Sequence, residues 1–338
     1  MSVKKYTDLE KERIYLRDAI PLKTPFSIQV EVTNYCNYDC PFCIHSKEGW
    51  IEGYTGKYMH MDFELFKKLV NDIKEFPEKL KTFRLFLLGE PLIAPDLINE
   101  LDYCFEMDIS ERVEITTNAT LLNIELSTKI LDIVAKHRNA KLYMRYSIET
   151  INQERNESLT GNKIKVSDIC NNVAVFQQIR DEKGLNKKVS TFAKMFATGT
   201  EEDDLFKRMY EGNVDEVGFE YVSNLTNTEI NLADGYKESI KAPVATNMPL
   251  VCHYPFIFMA VRADGMIRTC CIDYTMDTIV GDLKKNSLKE IWNGIELKRF
   301  RKMHLDGNRS RITACKNCQC LSTKEADIID GIPSSLLD

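Results

Sequence analysis

The 338-residue sequence predicts an α/β protein: six βα units, a number consistent with a partial barrel, followed by a smaller cysteine-rich domain. Three observations carry that expectation. From residue 25 onward, short β-type runs alternate with stretches whose apolar positions recur at helical spacing, the pattern of parallel βα units. Within the strand-like runs polar and apolar residues alternate, giving each strand two chemically different faces. Beyond residue 250 the alternation gives way to a stretch holding Cys252, Cys270, Cys271, Cys315, Cys318 and Cys320.

Residues 1–24 read as a charged leader that packs on the main domain or frays, too short to be a domain itself. The first strand covers residues 26–33, followed by a loop and a helix over 62–76, in which Phe63, Phe66, Leu69, Val70 and Ile73 share one face. The second strand is 83–88, and its helix begins near Pro95, whose fixed φ suits a first helical turn. A strand at 112–117 leads to a helix at 123–135. A fourth, at 142–148, leads to a helix at 166–180 carrying Ile169, Val173, Phe176 and Ile179. Strands five and six take 189–197 and 214–222, ending a barrel domain of 25–222. An Asn- and Thr-rich linker at 223–250 leads to the second domain, 251–320, and a tail of 321–338.

In strand four Tyr143, Arg145, Ser147 and Glu149 share one face; in strand one Ser27, Gln29, Glu31 and Thr33 do. A closed eight-stranded barrel fills its interior with branched apolar side chains. With helices covering the apolar faces, polar inner faces point instead to a water-accessible cavity for polar ligands.

The loop after strand one carries Cys36, Cys40 and Cys43 within eight residues. Eleven cysteines in 338 residues would give this triplet by chance about 0.01 times per chain. Three thiolates can ligate three irons of a cubane, leaving one iron open, whereas a structural cluster takes four. Buried free cysteines or half of a zinc site are the plainer readings.

With Phe42 before the last cysteine, this C-x3-C-x2-C loop resembles that of the radical S-adenosylmethionine (radical SAM) enzymes. The resemblance implies a (β/α)6 partial barrel in which SAM chelates the fourth iron. Reductive cleavage of SAM then yields methionine and a 5′-deoxyadenosyl radical that abstracts hydrogen from a substrate. Residues at three strand ends extend the likeness. Gly89, Glu90 and Pro91 are similar to the family's Gly-Gly-Glu-Pro motif, with Leu88 in place of its first glycine. Thr117 and Asn118 resemble its Thr-Asn-Gly element, with Ala119 in place of the glycine. Ser147 and Glu149 resemble the end of its fourth strand, which approaches the SAM ribose or carboxylate. Each is a weak signal alone, and they reinforce one another in register with the cysteine loop.

The C-terminal stretch resembles the SPASM domain, or its shortened twitch form. Cys252 lies eighteen residues before Cys270, Gly265 five before it, and Cys315 and Cys318 form a C-x2-C pair. The resemblance implies one auxiliary 4Fe-4S cluster on Cys252, Cys270, Cys315 and Cys318, since Cys271 and Cys320 have the wrong spacing for a second. Zinc on the same four is the structural alternative. Ala263, Asp264 and Gly265 signal a hairpin, and Leu288, Ile291 and Trp292 a helix. Cys104 and Cys170 fall in helical patterns, as core residues do.

Within the twitch group the analogy is to radical SAM aminocyclitol dehydrogenases, implying oxidation of an alcohol of a sugar or aminocyclitol. Arg145, Lys194, Glu220 and Tyr143, on the polar strand faces, are candidates for the proton transfer such oxidation needs. A radical epimerase with Cys271 or Cys320 as hydrogen donor, a peptide maturase, and a zinc-stabilised binding module are the other readings. The resemblance also implies a flavodoxin- or ferredoxin-type electron donor and a polar small-molecule or peptide substrate.

A formal net charge of −6 argues against a nonspecific nucleic-acid surface. Residues 1–20 lack the apolar core of a signal peptide, and the conspicuous apolar stretch 255–261 is too short to span a bilayer. A cytoplasmic protein is expected, in which cysteines ligate metal rather than form disulfides.

Overall fold

The computed structural model describes residues 14–221, 248–316, 318, 320–321 and 324–338. Most of the expected linker, and Val222 at the expected end of strand six, lie outside them. A single sheet organises the chain. Strands β1 Ser27–Val30, β2 Thr82–Arg84, β3 Val113–Thr117, β4 Leu142–Ser147, β5 Val189–Phe196 and β6 Glu216–Glu220 lie in chain order, each parallel to the next. On the far side of β1 the sheet continues. β7 Phe258–Val261 runs parallel to β1, with Ser27 opposite Phe258, and pairs antiparallel with β8 Met266–Arg268, which pairs with β9 Ile279–Asp282.

Each parallel crossover carries a helix: α3 Phe63–Ile73 after β1, α4 Leu97–Met107 after β2, α5 Ile124–Lys136 after β3, α7 Val166–Glu182 after β4 and α8 Glu201–Tyr210 after β5. Short helices α1 Leu16–Ala19, α2 Trp50–Tyr54 and α6 Gln153–Thr160 precede α3 or lie between crossovers, and α9 Tyr254–Ile257, α10 Leu288–Trp292 and α11 Ile295–Leu305 follow. Several start where the sequence supplies an N-cap. Asp62 accepts from the Leu65 N–H, Asn123 from Leu126, and Ser287 forms a capping box with Glu290.

The apolar strand faces pack under the helices. Ile28, Val30, Phe83, Ile115, Met144 and Tyr146 join Phe66, Leu69, Ile130 and Phe176 in one core. Each such large side chain, buried fully, stabilises the fold by about 1.5–3 kcal/mol. Leu16 of α1 packs separately with Val251, Phe256 and Ile329, so the leader's described end is docked.

Three local expectations need correction. β2 ends at Arg84 rather than Leu88, because the chain bends away after the Leu85 N–H bonds the Glu114 carbonyl. Pro95 precedes α4, whose N-cap is Asp96, and the first-turn proline is Pro91 in the 3-10 turn Pro91–Ile93. The polar face of β1 is closed: Ser27, Gln29 and Glu31 are buried beside β7. Tyr143, Arg145 and Ser147 on β4 stay half-buried, so the lumen opens toward β4–β6.

One core carboxyl gives a test by pH. Glu100 on α4 is buried, with Oε2 lacking a hydrogen-bond partner, and burial, with the Asp96 charge near, pushes it up to about 8 from 4.5. The folded protein holds a proton there that the unfolded chain releases near 4.5. Its contribution to stability is therefore full below 4.5 and lost as pH rises through about 8. Between pH 5 and pH 9 the melting temperature of wild type should fall relative to Glu100→Gln. Parallel curves across that range would refute the assignment.

Candidate functional site

All three cysteines of the first loop lie at the C-terminal end of β1, and Cys36 and Cys40 are charge-coupled to Cys43. Burial pushes Cys36 up to about 12 and raises Cys40 and Cys43, with neighbouring thiols and the Glu149 charge adding to the effect on Cys40. Left alone these groups stay protonated; a bound metal ionises coordinating thiols outright. The loop is held by the Asp39 N–H to the Thr160 carbonyl at 2.7 Å and the Cys43 N–H to the Cys40 carbonyl at 2.9 Å. Tyr38 donates its N–H to Cys36 Sγ at 3.4 Å, a bond of the kind that tunes cluster sulfurs. None of the eleven cysteines is in a disulfide. Among the described residues no three His, Cys, Asp or Glu side chains converge on one ion-sized point; a cubane spreads its ligands over separate irons. The donor chemistry fits an iron–sulfur cluster.

Gly89, Glu90 and Pro91 brace this loop. Gly89 has φ +73°, and a Cβ there would stand 2.6 Å from the carbonyl oxygens of Thr33 and Tyr35. The Glu90 N–H bonds the Tyr35 carbonyl at 2.7 Å. Its carboxylate accepts from Thr117 Oγ1 at 2.7 Å, from the Asn118 N–H at 2.8 Å and from the Leu92 N–H at 3.0 Å. Burial nevertheless raises Glu90 to about 7. Asn118 Nδ2 donates to Asn37 Oδ1 at 2.8 Å, inside the cysteine loop. Ala119 keeps φ 60°, the left-handed conformation a glycine would adopt without strain. Glu90 and Asn118 thus act in this structure as ties between strand ends.

Phe42 packs edge-on against Phe196 of β5 at 5.7 Å, and Phe196 stands opposite Glu220 in the sheet register. Lys194 Nζ bonds Glu220 Oε2 at 2.6 Å, while Arg145 reaches Glu220 at 3.4 Å and Glu114 at 3.5 Å. Ser147 is opposite Lys194. Three of the four proton-transfer candidates are therefore together. Tyr143 lies deeper, under the Arg112 guanidinium at 4.8 Å and hydrogen-bonded to Glu216, and burial raises its phenol.

The C-terminal cysteines form a second pool. Cys252 is charge-coupled to Cys315 and Cys318, and Cys270 to Cys252 and Cys271; burial is the main cause raising every one. Cys315 and Cys320 are pushed up to about 12, and the Cys320 N–H bonds Cys318 Sγ at 3.4 Å. Cys271 and Cys320 stand in the same pool, so spacing alone separated them from the assigned four.

The sequence reading missed the joint between the two pools. Glu31, fully buried and raised by that burial to about 7, accepts from Tyr54 Oη at 2.9 Å and from the Ala263 N–H at 3.3 Å. Trp50 stacks on Tyr54 at 4.3 Å and donates Nε1 to the Tyr274 carbonyl at 3.3 Å. Arg84 and Glu114, 3.2 Å apart, were missed too.

This arrangement defines a class. Residues 30–209 match the radical SAM superfamily and residues 252–319 the SPASM iron-sulfur cluster-binding domain. The chain belongs to the radical SAM superfamily, and its cofactors are SAM and two 4Fe-4S clusters.

Among particular proteins, it is 26% identical over 90 residues to the S-adenosyl-L-methionine-dependent 2-deoxy-scyllo-inosamine dehydrogenase of Niallia circulans, covering 27% of this chain and 36% of that one. The chain spans about a third or less of the length of the curated relatives it matches. Its fold is similar to that of BtrN in complex with AdoMet and 2-DOIA (TM-score 0.51, 17% identity, 89% of this chain and 97% of that one). It is also similar to Streptococcus suis SuiB bound to precursor peptide SuiA (TM-score 0.54, 15% identity, 94% and 77%). No described helix is long and apolar enough to cross a membrane.

Proposed function

We propose that this radical SAM enzyme is an oxidoreductase that oxidises an alcohol of a sugar- or aminocyclitol-like substrate to a ketone. One observation carries the reading: Phe42, inside the cysteine loop, abuts Phe196, which lies opposite Glu220 in the Arg145–Glu220–Lys194 network. Polar groups able to handle a hydroxyl proton therefore stand beside the loop that would hold the first cluster. The dehydrogenase relative supports the same reaction class.

In this proposal Cys36, Cys40 and Cys43 hold the SAM-binding cluster, and Cys252, Cys270, Cys315 and Cys318 the auxiliary one. Phe42, Gly89, Glu90, Pro91, Asn118, Ser147 and Glu149 shape the SAM pocket, Glu90 and Asn118 through the ties described above. When bound, the cofactors supply a 5′-deoxyadenosyl radical to take the substrate hydrogen and a cluster to accept the remaining electron. Glu220 accepts the hydroxyl proton, because Arg145 cannot lose its own and the raised Tyr143 phenol keeps its proton. Lys194, at 2.6 Å, orients the carboxylate. A flavodoxin- or ferredoxin-type donor and a cytoplasmic setting belong to this reading.

Glu220→Gln should lower ketone formation at least about 100-fold, the usual range for losing a general base, while 5′-deoxyadenosine still forms in the presence of substrate. Undiminished ketone yield would remove Glu220 from the mechanism. Radical epimerisation is the second reading. Cys271 and Cys320 stand beside the assigned ligands without being among them, and either thiol would be placed to return a hydrogen atom. Incorporation of solvent deuterium into an inverted product, in place of a ketone, would favour it.

A further inference from the structure

We propose that the floor of the barrel is an oxyanion site: Arg84 and Arg145 hold a carboxylate or phosphate group of the substrate. This rests on the reading above and narrows it: of the sugar and aminocyclitol substrates named there, it favours a sugar bearing an oxyanion over a purely cationic aminocyclitol.

The lumen departs from the charge of the whole chain. Against a net charge of −6, its floor gathers the cations Arg84, Arg112, Arg145 and Lys194 around the carboxylates of Glu114, Glu216 and Glu220. Three of the four cations converge on Glu114, whose side chain is 4% exposed: Arg84 Nε at 3.2 Å, Arg145 Nη1 at 3.5 Å and Arg112 Nη2 at 3.8 Å. One carboxylate cannot saturate three guanidinium groups. Glu220 gives its short bond to Lys194, at 2.6 Å.

Arg145 is left between the two, 3.5 Å from one carboxylate and 3.4 Å from the other. A charge-assisted bond of this type closes to about 2.7–2.9 Å. Its guanidinium lies over the Phe192 ring at 5.7 Å, with a quarter of the side chain exposed, a position from which its planar fork can receive an incoming oxyanion.

Two further polar atoms in this layer are unused. Thr116 stands opposite Arg145 in the sheet register, and its Oγ1 is buried without a hydrogen-bond partner; Arg112 Nε is another such atom. Buried donors without partners are rare in native structures. Both residues flank Glu114 on the same side of the chain at two-residue spacing, and a substrate oxyanion would satisfy that excess. A purely cationic amino sugar would meet like charge instead.

The test is binding rather than turnover. The reconstituted holoenzyme with SAM and no reductant is titrated calorimetrically, at low ionic strength, with gluconate, glucose 6-phosphate, glucose and glucosamine. The expected result is that at least one anion binds at least tenfold more tightly than the neutral and cationic sugars. The preference should collapse in Arg145→Gln. Arg84→Gln serves as a second variant if melting shows that the first misfolds.

Tighter binding of phosphate-bearing than carboxylate-bearing sugar, or the reverse, identifies the oxyanion. Equal affinity across the four probes, no binding of either anion, or a preference surviving both substitutions would overturn the proposal. Because no reductant is present, that failure leaves ketone formation, and hence the oxidoreductase reading, to be judged separately by Glu220→Gln.

Discussion

Cys36→Ala is expected to abolish reductive cleavage of SAM. Each of the three loop thiols would hold a separate iron, so losing one leaves two anchors for a cubane that already has an open corner. The carboxylates around the loop, Glu90, Glu149 and Asp39, act on its thiols through charge, and Glu90 also through its backbone tie to Tyr35. Anaerobically reconstituted wild type should carry about eight irons, the sum of two cubanes, and Cys36→Ala about four. The assay is 5′-deoxyadenosine formed with dithionite and SAM, with iron and sulfide measured on the same sample. Full cleavage by the variant would end the assignment of this loop.

Gly89→Ala should be nearly as damaging without touching a thiol. A Cβ would stand 2.6 Å from two backbone oxygens, those of Thr33 and Tyr35, and 3.0 Å from the carbonyl carbon of Asn34. None can swing aside as a side-chain tip would. The segment leading into Cys36 must move, and with it the Glu90 N–H to Tyr35 bond. The left-handed backbone adds about 1–2 kcal/mol for any L side chain.

A total loss of about 2–4 kcal/mol and depletion of the first cluster are expected. Gly56→Ala separates the causes: it shares the left-handed conformation, φ +77°, but nothing lies within 4 Å of its Cβ. If both variants keep full iron and melt alike, the close approach at Gly89 has no role in holding the loop.

The six barrel strands and the principal helices were legible because period-2 and period-3.6 patterns act locally, residue by residue along β4 or α3. Partner choice was not. Nothing in residues 258–261 says that they pair with β1, since any short apolar run could line any open edge; the joining is decided by long-range geometry. The cysteine loop was readable from spacing alone. The bracing was not: Glu90 stood out only as part of a motif like the family's Gly-Gly-Glu-Pro, and only the folded strand ends reveal that its carboxylate collects three donors. Glu31 and Tyr54 are 23 residues apart, and their buried bond has no spacing signature. The convergence of Arg84 and Glu114 with Arg145 depends on sheet order.

The strand β7 has one more consequence. By hydrogen-bonding along β1 it makes the sequence between the two cysteine pools part of the same fabric, with Val30 opposite Val261 and the Glu31 N–H bonded to the Val261 carbonyl. Detaching the C-terminal region would therefore strip the edge of the strand that delivers Cys36 and uncover Glu31. Exchange of that region between related proteins is constrained accordingly: a donor segment must bring a strand of the same direction and register as well as its own thiols. Iron ligation and sheet assembly are thereby inherited as one unit.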